Sequence, residues 1–354
     1  MSILWRDAMA SALYGPGGFF VAGTGPADHF RTSVHASPAF ATALLRLISD
    51  VDSALDHPDR LDVVDVGAGR GELLRALLAS VGGAVRVSAR RPPDEPSSGT
   101  VRPPLAERVR FTAVEYAERP ENLPEEINWT PEIPTGITGV LLATEWLDNV
   151  PLDVAVHTED GWRYLLVDPE SGTESIGEVV SPDDLDWLTT WWPSPATPHS
   201  NHRAEIGRTR DEAWATAVGK ISQGLAAAVD YGHLREARPV DGTLTGYRGG
   251  RQVPPVPDGS SDVTAHVAMD SVASAGAAVA ECAYSLVVQR EALRALGADG
   301  GRPPLSLAGT DPVGYVRALA AASAVAELTD LAGLGSHLWL RQPVGIPLGP
   351  AVAR

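Results

Sequence analysis

The chain has 354 residues, 44% hydrophobic and 21% charged, with a formal net charge of −17. That length allows one large domain or two smaller ones, and the composition is that of a globular protein with a sizeable core. The acidic balance excludes a nucleic-acid partner, because phosphate recognition needs a basic face, and a single cysteine, Cys282, excludes an intrachain disulfide.

The N-terminus, MSILWRDAMASALYG, lacks the basic start and continuous apolar core of a signal peptide. No stretch reaches the roughly 18 apolar residues that a membrane span requires. The expectation is a soluble, cytoplasmic protein with no membrane partner. Trp5 to Leu13 can form a short helix, which Tyr14-Gly15-Pro16-Gly17-Gly18-Phe19-Phe20 cannot continue. Ser37 and Pro38 read as the N-cap and first position of a helix through Asp50. Residues 1–60 are read as an N-terminal helical segment whose aromatics either cover a site in the core as a lid or simply pack on its surface.

Residues 61–78, LDVVDVGAGRGELLRALL, read as strand, glycine turn and helix. Leu61, Val63, Val64 and Val66 supply the apolar strand. The glycines let the main chain take positive φ and let a ligand come close, and the N–H groups of the new helix face that ligand. A dinucleotide fingerprint, G-x-G-x-x-G, would put its third glycine where Glu72 stands. The pattern is instead D-x-G-x-G-x-G, Asp65 to Gly71, which resembles motif I of the class I S-adenosylmethionine (SAM) methyltransferases. An acidic strand end suits a ligand that carries an ammonium group and no pyrophosphate. Asp65, Gly67, Ala68, Gly69 and Gly71 are the first candidate binding residues.

Residues 82–108 are rich in Pro, Gly, Ser and Arg and read as a mobile insertion. Val109 to Val114 is the next strand, closed by Glu115 and Tyr116. An acidic residue there binds ribose hydroxyls in doubly wound nucleotide sites, usually about 20 residues past the glycines; the insertion accounts for the longer spacing here. Ile127-Asn128-Trp129 is a short third strand, with Trp129 either stacking on an adenine ring or lying in the core.

Gly139 to Ala143 is a buried-type strand that runs into Thr144-Glu145-Trp146-Leu147-Asp148-Asn149-Val150-Pro151. Ligands sit at the carboxyl ends of strands in open α/β sheets, so Glu145 and Asp148 face a reaction centre. Two carboxylates there can hold a guanidinium or take up a proton; helix capping and a surface ion pair are the plainer reading. Residues 151–220 read as an insertion. It holds a hairpin around Glu159-Asp160-Gly161, a Pro-initiated helix from Ser181 to Trp192, and a loop with His199 and His202. Those two histidines lack the further ligands of a metal site. One long helix is expected over residues 203–224, with Trp214 and Val218 inward.

Leu225 to Val229 is another buried strand, ending in Asp230-Tyr231-Gly232. Residues 233–268 are placed on the substrate side, with 239–262 an extended loop and His266 near its end. Asp270 is read as the cap of a helix over Ser271 to Cys282, followed by a strand from Ala283 to Gln289 and a helix from Glu291 to Leu296. Asp311 and Pro312 start a helix ending near Gly333, and His337 to Arg341 is the last strand.

These pieces together resemble the MidA-like class I SAM methyltransferases, a family that includes the mitochondrial complex I assembly arginine methyltransferase. The resemblance spans nearly the whole chain and rests on ALYGPGGFF, FRTS, DVGAGRG, AVE, GVLLATEWLDNVP, AVDYG, DGTL and DVTAHV, in the family's order. It departs at Thr144, where the family usually has Asn, at the YAERPENLP that replaces the usual Ser, Pro and Gln pattern after Glu115, and at Phe19 and Phe20, which stand for two tyrosines. The resemblance implies a single α/β domain: a doubly wound, Rossmann-like sheet with a final antiparallel strand, plus the N-terminal segment and the insertions. It also implies SAM as methyl donor, held by the glycine turn, Glu115 and its neighbours. Glu145, Asp148, Asp230, Tyr231 and His266 are then candidates for acceptor binding or proton removal. The expected acceptor is a protein arginine; a small molecule of secondary metabolism, or a non-catalytic SAM-binding role in assembly, are the other readings.

Overall fold

The computed structural model describes residues 1–22, 33, 38–88, 103–193, 202–298 and 300–347. Seven strands form the main sheet: β1 (Leu61–Val66), β2 (Val109–Val114), β3 (Ile127–Thr130), β4 (Ile137–Thr144), β5 (Ile221–Asp230), β6 (Ser285–Val288) and β7 (Leu338–Val344). Their spatial order is β3-β2-β1-β4-β5-β7-β6. The first five are parallel, and β7 runs antiparallel to both β5 and β6. This is the doubly wound, Rossmann-like sheet with a final antiparallel strand. The chain order reverses between β1 and β4, and there a crevice opens at the carboxyl ends of the strands.

Alternation along the central strands feeds two cores. Val63, Val140, Leu142 and Ala227 pack with Leu44, Leu47, Leu74 and Leu77 of helices Pro38–Ala54 and Glu72–Ser88. Val64, Leu141, Ala226 and Ala228 pack on the other face with Trp214 and Val272 of helices Arg208–Val218 and Met269–Ala280. A second sheet joins Ile3–Leu4, Asp153–Thr158, Gly161–Val167, Glu174–Val179 and Arg203–Ile206. Trp5, Met9 and Leu13 of helix Trp5–Tyr14 cover it. No helix among the described residues is long and apolar enough to cross a membrane.

The structure corrects several expectations from sequence. Residues 203–224 are not one helix. Arg203–Ile206 pairs with Asp153–Thr158, Gly207 starts helix Arg208–Val218, and Gly219 ends it before β5. Cross-strand pairing overrides the helical composition there, although Trp214 and Val218 do point inward. Residues 239–262 carry short strands, Thr245–Arg248 and Arg251–Val253, which join Asp262–Thr264 in a three-stranded sheet. Asp270 does not cap the next helix, which begins at Met269. Its carboxylate accepts from the Ser271 amide at 3.0 Å and the Arg235 amide at 2.7 Å and binds Arg238. The helix capped by Asp311 stops at Leu328 rather than near Gly333. The insertion expected at 82–108 starts later, because the preceding helix continues to Ser88; residues 89–102 lie outside the described residues, as do 30–32, Ser37 and His199.

Where the chain re-enters β2, Arg108 is buried and donates two hydrogen bonds to Asp52, at 2.7 and 2.8 Å, and one to the Pro58 carbonyl. Asp52 also binds His57 at 2.8 Å. Breaking a buried ion pair by removing one partner strands the other charge. Asp52→Ala is therefore expected to cost about 3 kcal/mol, the lower end of that effect, since the Pro58 and Pro103 carbonyls still bind Arg108. A urea titration checks this, and an unchanged midpoint would make the pair neutral.

Candidate functional site

Gly67, Gly69 and Gly71 take φ of 71°, 58° and 79°, a region that side chains disfavour. The amides of Gly67 and Ala68 donate to the Val114 carbonyl, and that of Gly69 to Glu115 Oε2 at 3.0 Å, so the turn after β1 is tied to the end of β2. A Cβ on Gly67 would lie 2.8 Å from Trp146 Cδ1, and one on Gly71 2.7 Å from Leu123 Cδ1. Gly67 thus admits the Trp146 indole, while Gly71 permits close packing away from the crevice.

A cavity of about 380 Å³ opens at the strand ends. Asp65, Gly67, Ala68, Gly69, Glu115, Tyr116, Glu145 and Asp148 line it, as expected from sequence, together with Tyr14 and Phe20 of the N-terminal segment. Gly71 and Trp129 are not among its lining. Trp129 packs on the core and donates its indole N–H to the Ala117 carbonyl at 3.0 Å, so it does not offer a stacking face there. Trp146 and Ile133 line the cavity instead. Sequence reasoning passed over both, although Trp146 stands inside the EWLDNVP motif.

Asp230, Tyr231 and His266 are joined to the cavity through Asp148. Asp148 Oδ2 accepts from the Tyr231 hydroxyl and from Thr264 Oγ1, and its own amide donates to Asp230 Oδ2 at 3.3 Å. Asp148 Oδ1 has no hydrogen-bond partner among the described residues. The His266 ring stands 5.1 Å from that of Tyr231. Behind them lies Arg210, buried, donating to the carbonyls of Val150, Ala265, His266 and Asp148. It had no sequence signal, being one arginine in a presumed helix. Glu145 takes φ of 51°, unusual for a side-chain-bearing residue and typical of constrained sites. Its Oε1 accepts from the Ser33 amide at 3.0 Å.

The lining is acidic: Asp65, Glu72, Glu115, Glu132, Glu145 and Asp148 face one lysine, Lys220. Burial, then Glu72 and Glu115, pushes Asp65 up to about 8. Burial likewise pushes Glu145 up to about 8, opposed by Ser33 and reinforced by Asp148. Burial raises Glu115 too, against the pull of three backbone amides. A cation entering this cavity would draw the carboxyls into their ionised forms. Among the described residues no group of His, Cys, Asp and Glu side chains could hold a metal ion.

A family model of S-adenosyl-L-methionine-dependent methyltransferases matches residues 43–287, and the chain belongs to that family. SAM is therefore its methyl donor. Two crystal structures share its fold. One is a COG1565 superfamily member from Burkholderia thailandensis bound to S-adenosyl-homocysteine, 20% identical, with a TM-score of 0.76 over 99% of this chain and 90% of that one. The other, a COG1565 superfamily protein from the same organism, is 21% identical with a TM-score of 0.74 over 100% and 90%. No curated protein matches the chain.

Two predictions follow from this geometry. Asp65 and Glu145 keep protons in the folded chain up to about pH 8, whereas unfolded carboxyls release theirs near about pH 4. The native state then binds more protons than the unfolded one, so stability falls as pH rises through that window. His233 and His337, held down to about 3 and about 4 chiefly by burial, oppose this, but only below the ordinary histidine range. Thermal melting without ligand should therefore drop from about pH 6.5 to about pH 8, above the histidines' range, and level off beyond it, and Asp65→Asn should lessen the drop; a rising midpoint would refute the assignment. In the second, Gly67→Ala should fold, by circular dichroism, yet lose about tenfold or more in SAM affinity, since its Cβ must displace Trp146 from a strained φ. Wild-type affinity in that variant would put the binding site elsewhere.

Proposed function

We propose that the chain methylates a protein arginine side chain, binding SAM at the glycine turn and the guanidinium at Glu145 and Asp148. The observation that carries this reading is the placement of a buried carboxyl, Asp148, with one oxygen unpartnered among the described residues, and a half-buried one, Glu145, in the wall of one acidic cavity.

The residues present fit SAM. The cavity volume is that of a small-ligand pocket, and its acidity matches a sulfonium and an ammonium. The glycine turn and Asp65 would hold the amino-acid end, Glu115 the ribose hydroxyls, and Trp146 with Ile133 the adenine face. Tyr14 and Phe20 support a covering role for the N-terminal segment. Bound SAM supplies a methyl carbon that passes to a nitrogen lone pair while the carbon–sulfur bond breaks and sulfur keeps its electrons. The chain's own part is positioning, which accounts for much of such catalysis. Glu145 and Asp148, drawn into their ionised forms by the bound cation, would orient the guanidinium by charge-assisted hydrogen bonds, and Glu145, whose affinity for a proton burial raises, would accept the departing N–H proton. Arg210 and Tyr231 keep Asp148 in place.

The test is transfer of labelled methyl from SAM to lysate proteins, followed by hydrolysis and detection of methylarginine. Removing one partner of a buried charge pair costs about 2–5 kcal/mol, so Asp148→Asn should slow transfer by about thirtyfold or more while SAM affinity stays near wild type. Label found only in low-mass products would move the acceptor to small molecules. SAM binding with no transfer to either would support a non-catalytic role.

A further inference from the structure

Glu145 is held by groups far apart in the chain. Its Oε1 accepts from the Ser33 amide at 3.0 Å and lies 4.0 Å from His337 Nδ1. Ser33 and Gln289 are both fully buried. The Gln289 amide nitrogen donates to Ser33 Oγ at 3.2 Å and to the Leu328 carbonyl at 3.1 Å, and its oxygen accepts from Trp339 Nε1 at 3.0 Å. The Gln289 backbone N–H donates to the His337 carbonyl at 2.7 Å. One residue thus anchors, by its side chain and by its main chain, both groups that face the Glu145 carboxylate.

We propose that Gln289 is a positioning residue for Glu145, holding the Ser33 amide and the His337 ring against the carboxylate that faces the SAM cavity. This rests on the reading of that cavity as the SAM site. Gln289 touches neither the cavity lining nor Glu145, so its effect passes through Ser33 and His337. A hydrogen bond from an amide favours the ionised carboxylate. Asp148 disfavours it. Asp230 and Asp262 lie in the same field and share the burden of burial with Glu145. His337 is neutral in the ordinary range, so it adds no charge of its own. Ser33 is therefore the group that keeps Glu145 ionisable, and Gln289 keeps Ser33 in place.

The experiment measures SAM affinity by calorimetry between about pH 6 and pH 9.5, with the ligand's own titration common to all variants. Wild type should bind more tightly as Asp65 and Glu145 ionise, and Glu145→Gln should lose the part of the step that Glu145 supplies, leaving that of Asp65. Gln289→Leu should move the midpoint up by about one pH unit, a roughly tenfold loss at neutral pH that alkaline pH restores. Gln289→Asn, which shortens the tether and leaves both the amide and the hydroxyl of Ser33 in place, should move it the same way by less, and it decides the matter should Gln289→Leu fail to fold. In the Glu145→Gln background, Gln289→Leu should leave the pH profile unchanged. A uniform loss at every pH, an unmoved midpoint in the variants or a wild-type profile without a step overturns the inference. A wild-type chain that binds no SAM at any pH overturns instead the reading of the cavity.

Discussion

The buried guanidinium of Arg210 is the contact on which the site's geometry depends. It draws the carbonyls of Asp148 and Val150, after β4, to those of Ala265 and His266, after Asp262–Thr264. Those two segments share no sheet, and each alone would leave its carbonyls facing a dry interior. A buried cation costs several kcal/mol unless paired. Burial lowers the Arg210 affinity for its proton, and Asp148, Glu205 and Asp230 oppose that in part. Asp148 is left with one oxygen engaged and one without a partner among the described residues.

The parts of the site that were legible in the sequence are those set by local chemistry. The D-x-G-x-G-x-G turn, Glu115 at the end of β2 and the carboxyls after β4 each follow a recognisable strand, and the sheet rule places strand ends at the crevice. Trp129 was left between stacking and core because strand and aromatic character do not say which way a ring faces; its indole N–H found the Ala117 carbonyl and its ring the core. Arg210 and Gln289 carried no signal, and Ser33 stood in the FRTS motif without a role, since what they do exists only through partners between 39 and 256 residues away.

The accessory sheet was hidden for the same reason. The hairpin was legible, with Thr158 paired to Gly161 across a two-residue turn. Glu174–Val179 and Arg203–Ile206 are short, and their alternation is broken by charged residues, so nothing local separates them from loop or helix. Pairing decides them: Arg203 binds Glu174 with both guanidinium nitrogens, at 2.6 and 2.8 Å, and the Glu205 carboxylate receives the amides of Thr243 and Leu244. The second sheet is thereby fixed to Thr243 and Leu244, which precede the three-stranded sheet that carries Thr264.

The strand order carries a consequence for how the molecule is made. Among the described residues β6 pairs only with β7, and β7 sits between β5 and β6. During synthesis β6 therefore emerges with no edge to join, and it waits for a strand some fifty residues later in the chain. Gln289, at the end of β6, likewise meets Trp339 and the His337 carbonyl only when that last strand arrives. Non-local closures of this kind are slow, because chain entropy is lost before contacts return it. The crevice at the strand ends is thus completed only when β7 arrives, and a nascent chain stopped before β7 has the glycine turn but neither the Trp339 that meets Gln289 nor the His337 that faces Glu145.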